Sequence, residues 1–255
     1  MTLLDEIVAK TRKRVEARKR EVPVDKLPDR STEVRSLSDA IKRCRAPPII
    51  AEIKLKSPSA GVLKAGLNVG AQAKAYEAGG AVGISVLTEP DYFGGNIENL
   101  TEVRQNVRLP VLQKDFIVDN YQIHESVSYG ADVVLLIVSC LGDRLPDFLE
   151  FVRDHSLEAL VECHSKSEVD KAVAAGATLI GINNRDLKTL KIDLNITKEL
   201  AKYVPKDRIL VSESGINTAD DVKFLLGAGA KAVLVGTVLM RAADARQKLA
   251  ELRAV

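Results

Sequence analysis

Four of the chain's Gly-Ala dipeptides, Gly80-Ala81, Gly130-Ala131, Gly176-Ala177 and Gly229-Ala230, recur 50, 46 and 53 residues apart. Each stands directly ahead of a short apolar run. A glycine there suits the left-handed residue that ends a helix and turns the chain into a strand. A further apolar run falls ahead of each dipeptide, so eight recur, at 49–55, 82–88, 111–116, 133–139, 159–163, 179–183, 209–214 and 232–236. The stretches between them carry apolar residues at helical spacing, as Leu145, Phe148, Leu149 and Val152 do. The strand runs are continuous rather than alternating, so both sheet faces are covered, as in a parallel sheet wrapped by helices. A βαβα unit repeated four times gives eight strands, a number that closes on itself. An open doubly wound sheet would carry a Gly-rich dinucleotide turn after its first strand, and none is present. The 255 residues match the roughly 250 that such a barrel takes. The expected fold is therefore a (β/α)8 TIM barrel over residues 49–255. An N-terminal helical extension over residues 1–48 precedes it, within one domain overall.

Composition narrows the classes. With 28% charged and 46% apolar residues, the chain is neither a disordered acidic protein nor a membrane bundle. A formal charge of +2 gives no global attraction to nucleic acid. Three cysteines without a C-x-x-C pair support neither a disulfide framework nor a zinc ribbon. The N-terminal sequence lacks the apolar core of a signal peptide, and no apolar run approaches a membrane span. A cytoplasmic protein with no membrane or nucleic-acid partner is expected. Within the extension, Leu3, Leu4, Ile7, Val8, Thr11 and Val15 share one helical face, and a short second helix carries Ile41. The two form a helical cap bordering the active-site mouth. The basic run Lys10 to Arg14 reads as a solvated helix face, because Glu16 and Glu21 interrupt it.

Charges inside the strands carry the chemistry. Ionised groups in a barrel strand lose solvation worth several kcal/mol unless paired. Here they recur near the C-terminal ends of the strands, the catalytic face of barrel enzymes. They are Glu52 and Lys54, two apart and so on one side of the first strand, then Lys114, Glu162, Asn183 with Arg185, and Glu213. Three cations meet three carboxylates. Crowded, desolvated lysines are expected to be pushed down toward general-acid use near neutral pH, with the carboxylates opposing that shift. A second signal is phosphate binding. Ser214-Gly215 after the seventh run and Gly236-Thr237 after the eighth open helices whose backbone N–H groups suit a phosphate. Ser57-Pro58-Ser59 after the first run adds serine donors. Cys163 is expected to point away from the interior if Glu162 points in, and Cys44 has no base partner. The three histidines, at 124, 155 and 164, read as isolated structural residues.

An ordered set of motifs then matches a family. Glu52-Ile-Lys54-x-x-Ser57-Pro58-Ser59, Leu87-Thr88-Glu89, Tyr92-Phe93-Gly94-Gly95, Lys114-Asp115-Phe116, Glu162, Asn183-Asn184-Arg185-Asp186-Leu187, Ser212-Glu213-Ser214-Gly215 and Gly236-Thr237 strongly resemble the indole-3-glycerol phosphate synthases. The resemblance runs from the first helix to the last. It implies a carboxy-lyase of tryptophan biosynthesis that needs no metal or organic cofactor. Its substrate would be 1-(2-carboxyphenylamino)-1-deoxyribulose 5-phosphate, closed, decarboxylated and dehydrated to indole-3-glycerol phosphate. It implies Lys114 as the general acid for ring closure, and Lys54 as holding the substrate carboxylate with a second role in moving a proton. Glu162 would act in the dehydration. Glu52, Asn183 and Glu213 would hold these groups and the substrate hydroxyls, with Arg185 on the substrate's polar chain. Ser57, Ser214, Gly215, Gly236 and Thr237 would bind the phosphate end, and Phe93, Phe116, Leu87 and Leu187 would enclose the anthranilate ring. Leu55 and Thr237 depart from the family's more usual Arg, and Ser or Glu, at those places. A phosphoribosylanthranilate isomerase, the nearest rival, would rely on a Cys/Asp pair at strand ends where this chain has Lys and Glu. A barrel that had lost its chemistry would be expected to lack Lys54, Lys114 or Glu162. Monomer is the default expectation, with a dimer as the alternative.

Overall fold

Eight short parallel strands close on themselves in the computed structural model, which describes residues 2–30, 32–58, 61–64, 66–186 and 189–255. They are β1 (Ile49–Ile53), β2 (Gly83–Leu87), β3 (Val111–Lys114), β4 (Val133–Ile137), β5 (Glu158–Cys163), β6 (Leu179–Asn183), β7 (Ile209–Glu213) and β8 (Ala232–Val235). Each pairs with its sequence neighbours, and β8 closes on β1 with Ile49 beside Val233 and Ala51 beside Val235. The expected barrel is present, with six strands ending a residue or two earlier than their apolar runs and β5 and β6 ending with theirs. Val138 and Ser139, at the end of the fourth run, already belong to a short helix, Val138–Leu141.

All four punctuating glycines are left-handed, with φ of +88° at Gly80, +88° at Gly130, +82° at Gly176 and +116° at Gly229. Each stands two residues after the end of its helix and three before the start of its strand, where it turns the chain from one into the other. The side chains then alternate. Ile49, Ala51 and Ile53 face outward onto the helices, and Ile50 and Glu52 face inward. On β5, Ala159, Val161 and Cys163 join the outer cluster, while Leu160 lies inside. Cys163 thus turns away from the interior, as its neighbour's orientation requires.

The extension spans the barrel from end to end. Helix α1 (Leu3–Glu21) starts with a capping box on Thr2 and Asp5 and buries Ile7, Thr11 and Val15. Arg14 does not stay in solvent. Its Nη1 lies 3.3 Å from Glu89 and 3.1 Å from Asp91, which pins α1 to the loop after β2. The expectation of a purely solvated basic face fails there, because the partners come from 75 residues away. Helix α2 (Leu37–Arg43) instead closes the opposite end, where Leu37 and Ile41 pack against Ile50, Leu112, Val133 and Leu160.

Two carboxylates at the N-terminal ends of strands hold α2 there. Glu158 accepts from the Ser36 hydroxyl at 2.9 Å and from the Leu37 and Ser38 backbone N–H groups at 2.6 and 3.1 Å. That is anion binding at a helix N-terminus. Asp132 is fully buried and receives Arg30 at 2.7 Å, Arg104 at 2.6 Å and the backbone N–H groups of Arg35 and Val111, each at 2.9 Å.

Candidate active site

A barrel core is built in layers of four side chains contributed by alternate strands, normally branched apolar ones. The layer nearest the C-terminal end is different here. β1, β3, β5 and β7 supply Glu52, Lys114, Glu162 and Glu213, one each. Lys114 Nζ lies 3.1 Å from Glu162 Oε2 and 3.3 Å from Glu213 Oε2. Just above, Lys54 Nζ meets Glu52 Oε1 at 2.7 Å, as two residues on one side of a strand should. The even strands make room. A Cβ on Gly181 would collide with the Glu213 carboxylate, and one on Gly236 with that of Glu52. These glycines are spaces for glutamates, so part of Gly236's role lies in the core rather than at a phosphate.

The electrostatics correct one expectation. Burial alone would lower Lys114, but Glu162, Glu213 and Glu52 outweigh it and hold the ammonium above its ordinary range. Burial likewise raises Glu162, yet Lys114 and His164 draw it below the usual carboxylate value. Glu213 is left with the cost: burial and the neighbouring Glu162 and Glu52 push it up to about 7 against the pull of Lys114. Neither of its oxygens accepts a well-formed hydrogen bond from a described residue. An under-satisfied carboxylate facing a cavity is poised to bind a hydroxyl.

The cavity over this layer has a volume of about 350 Å³. It brings together Glu52, Lys54, Leu87, Phe93, Lys114, Phe116, Glu162, Asn183, Arg185 and Glu213 with Ser214, Gly215, Gly236 and Thr237. Arg241, which the sequence reading passed over, lines the glycine-turn end. At that end the chain reverses sharply. Ser214 and Gly215 have φ of +68° and +89°, and Asn184 Nδ2 braces the turn by donating to the Ser214 carbonyl at 3.1 Å. Thr218 caps the helix that follows, Ala219–Gly227.

A smaller chamber adjoins, lined by Leu3, Leu4, Ile7, Lys54, Ser57, Pro58, Phe93, Phe116, Arg185 and Leu190. The Phe93 and Phe116 rings stand 6.2 Å apart, tilted by 34°. Helix α1 therefore walls the aromatic end, at the mouth the extension was expected to border, whereas α2 lies at the other end of the barrel. Ser57, expected with the phosphate group, lines this chamber. Leu187 lies outside the described residues.

His164 overturns its reading as an isolated structural residue. Its Nε2 is 3.4 Å from Glu162 Oε1, and its Nδ1 is 3.4 Å from Glu168. His124 and His155 are not isolated either, since their rings meet edge to face at 4.8 Å.

Cations, carboxylates and a strained glycine turn converging over the C-terminal ends of closed parallel strands define an acid–base enzyme of the (β/α)8-barrel class. Solved structures of that architecture superpose on the chain. One is thiamine phosphate pyrophosphorylase from Pyrococcus furiosus, with a TM-score of 0.62 and 17% identity over 82% of this chain and 94% of that one. Another is an N-acetylmannosamine-6-phosphate 2-epimerase from Clostridium perfringens, with a TM-score of 0.61 and 16% identity over 81% and 92%. At such identity the likeness concerns the fold alone. The chain belongs to the indole-3-glycerol phosphate synthase family, whose model matches residues 4–252. Indole-3-glycerol phosphate synthases of Thermoanaerobacter sp. (strain X514) and Methanocaldococcus jannaschii are each 44% identical, over 98% of this chain and 96% and 98% of theirs. The enzyme from Arthrobacter sp. (strain FB24) is 42% identical over 100% and 96%. Among the described residues no helix is long and apolar enough to cross a membrane.

Proposed function

We propose that the charged layer, its rim and the two chambers carry out the indole-3-glycerol phosphate synthase reaction with the following division of labour. The observation that supports it best is Lys114 held as an ammonium between Glu162 and Glu213 at 3.1 and 3.3 Å. As the anthranilate ring carbon attacks the ketone of the ribulose chain, charge grows on the ketone oxygen. Lys114 stabilises that charge and then protonates it, an alkoxide being basic enough to take a proton from a lysine whose affinity is raised. Lys54 leaves Glu52 to hold the substrate carboxylate, which departs as carbon dioxide and restores the aromatic ring. Glu162 takes the proton from the carbon beside nitrogen in the dehydration. Asn183 and Glu213 hold the chain hydroxyls and Arg185 the polar chain. Ser214, Gly215, Gly236 and Thr237, with Arg241 beside them, receive the phosphate. Phe93, Phe116 and Leu87 enclose the ring, with Leu3 and Leu4 of α1 as the far wall.

The finer reading also includes action as a monomer in the cytoplasm without nucleic acid. Light scattering at working concentrations tests the first part. The reaction itself is tested by supplying the carboxyphenylamino ribulose phosphate and following indole fluorescence. The chain has no tryptophan, so the protein contributes no indole signal of its own. Well-folded protein that gives no indole product would overturn the assignment.

A further inference from the structure

The reaction has a proton deficit. The ketone oxygen gains two protons and leaves as water, the carbon beside nitrogen returns one, and the carboxylate leaves as neutral carbon dioxide without supplying any. One proton per turnover must therefore enter from solvent. Lys114 and Glu162 have side chains only 15% and 3% exposed, beneath the bound substrate in the reading above. The substrate's entrance is a poor route while it is occupied.

A second route is built into β5 and helix α7 (Lys166–Ala174). Glu162 uses its two oxygens on opposite sides: Oε2 faces Lys114 at 3.1 Å, and Oε1 faces the His164 Nε2 at 3.4 Å. The other ring nitrogen faces Glu168 at 3.4 Å. Side-chain exposure climbs along this line, from 3% at Glu162 to 16% at His164 and 20% at Glu168. His164 and Glu168 line a separate cavity of about 230 Å³ with Ser139, Asn183, Arg185 and Asp186. Glu168 also accepts the His164 backbone N–H at 2.6 Å, which fixes the start of α7. Capping explains that bond but not the ring nitrogen aimed at Glu162, a buried atom with no well-formed hydrogen bond of its own.

We propose that His164, fed through Glu168 and the side cavity, is the relay that returns one solvent proton per turnover to the Glu162–Lys114 pair. The imidazolium gives its Nε2 proton to Glu162, Glu162 passes it to the neutral Lys114 amine, and His164 takes a new proton from water in the side cavity. Nothing is oxidised or reduced, and the proton taken up balances the one the reaction consumes. Because His164 acts through Glu162, it is a positioning residue rather than a catalytic one. The groups around its ring are Glu162 and Glu213 from the barrel, Glu168 from α7, and Arg185 and Asp186 beyond β6. Burial disfavours the imidazolium, but the three glutamates prevail and raise its affinity, which keeps it charged toward neutral pH.

The inference rests on the proposed roles of Lys114 and Glu162, and the experiment separates the two. Turnover by the parent enzyme and its collapse in Lys114→Met establish those roles; failure of either strikes at the site assignment. Given both, His164→Gln is expected to lower kcat about 10-fold or more with KM within about twofold, and to lose the fall in kcat as pH rises through the histidine titration. Millimolar imidazole is expected to restore His164→Ala about fivefold or more. Glu168→Gln keeps an oxygen for the backbone N–H and is expected to cost about threefold in kcat, which carries the test if the histidine variants fail to fold. Parental kcat and pH profile in the folded variants, or a folded His164→Ala that ignores imidazole, overturns the relay.

Discussion

Lys114 is charged because three glutamates surround it, and two of them, Glu162 and Glu213, are tolerated because Lys114 is there. Removing the ammonium should therefore cost chemistry first. Lys114→Met, and separately Glu162→Gln, are expected to cut turnover more than about 100-fold, the size of lost acid–base catalysis. A loss under about tenfold for Lys114→Met would make Lys54 the principal acid. Glu213 makes the opposite bargain with stability. Its carboxyl titrates near 4.5 in the unfolded chain and about 7 in the folded one, so between those values the folded state holds more proton. Stability then falls as pH rises across that window and stays lower above it. Glu213→Gln removes this penalty. It is expected to melt ~2–4 °C above the parent at pH 8, the shift of about 1 kcal/mol in a chain this size. The gap should narrow as pH falls toward 4.5, while turnover drops at every pH. Equal melting temperatures at pH 8 would show that Glu213 carries no such cost.

Helix α2 owes its place to acids it could not have announced. Seven residues make a helix too short to persist alone, so Leu37 and Ile41 need the barrel's lower end, and Glu158 and Asp132 need the segment that leads to them. Asp132→Ala would leave Arg30 and Arg104 without their shared anion. It is expected to lower unfolding free energy by about 3–5 kcal/mol in urea denaturation, the usual loss when one side of a buried ion pair is removed. A change under about 1 kcal/mol would mean that the Ala131 carbonyl, which accepts from Arg30, and the Glu33 carbonyl, which accepts from Arg104, already satisfy that corner. The eight strands were legible from the chain because apolar continuity and a left-handed glycine are local properties. Asp132 and Glu158 were not, because their partners lie up to 102 and 122 residues away. His164 was misread for a related reason: whether its ring turns back to Glu162 depends on how α7 starts, and spacing along the strand says nothing of that.

Closing eight strands joins both ends of the chain into one body. The extension seals the lower end with α2 and walls the upper end with α1, so deleting residues 1–48 should uncover Ile50, Leu112 and Val133 together. We expect that truncated chain to aggregate or to lose its sharp thermal transition, as circular dichroism and light scattering would record. A cooperative melt without the extension would make it an independent cap. The four charges were each visible in their own strands, but not that they occupy one layer, since barrel stagger rather than sequence sets their heights. Gly181 and Gly236 record the outcome in negative, as hollows the size of a methyl group filled by other strands' carboxylates. Any redesign of this barrel that shortens Glu52 or Glu213 frees a matching hollow across the interior. The position and its glycine should be exchanged together, large for small, so that new chemistry is seated without leaving a void.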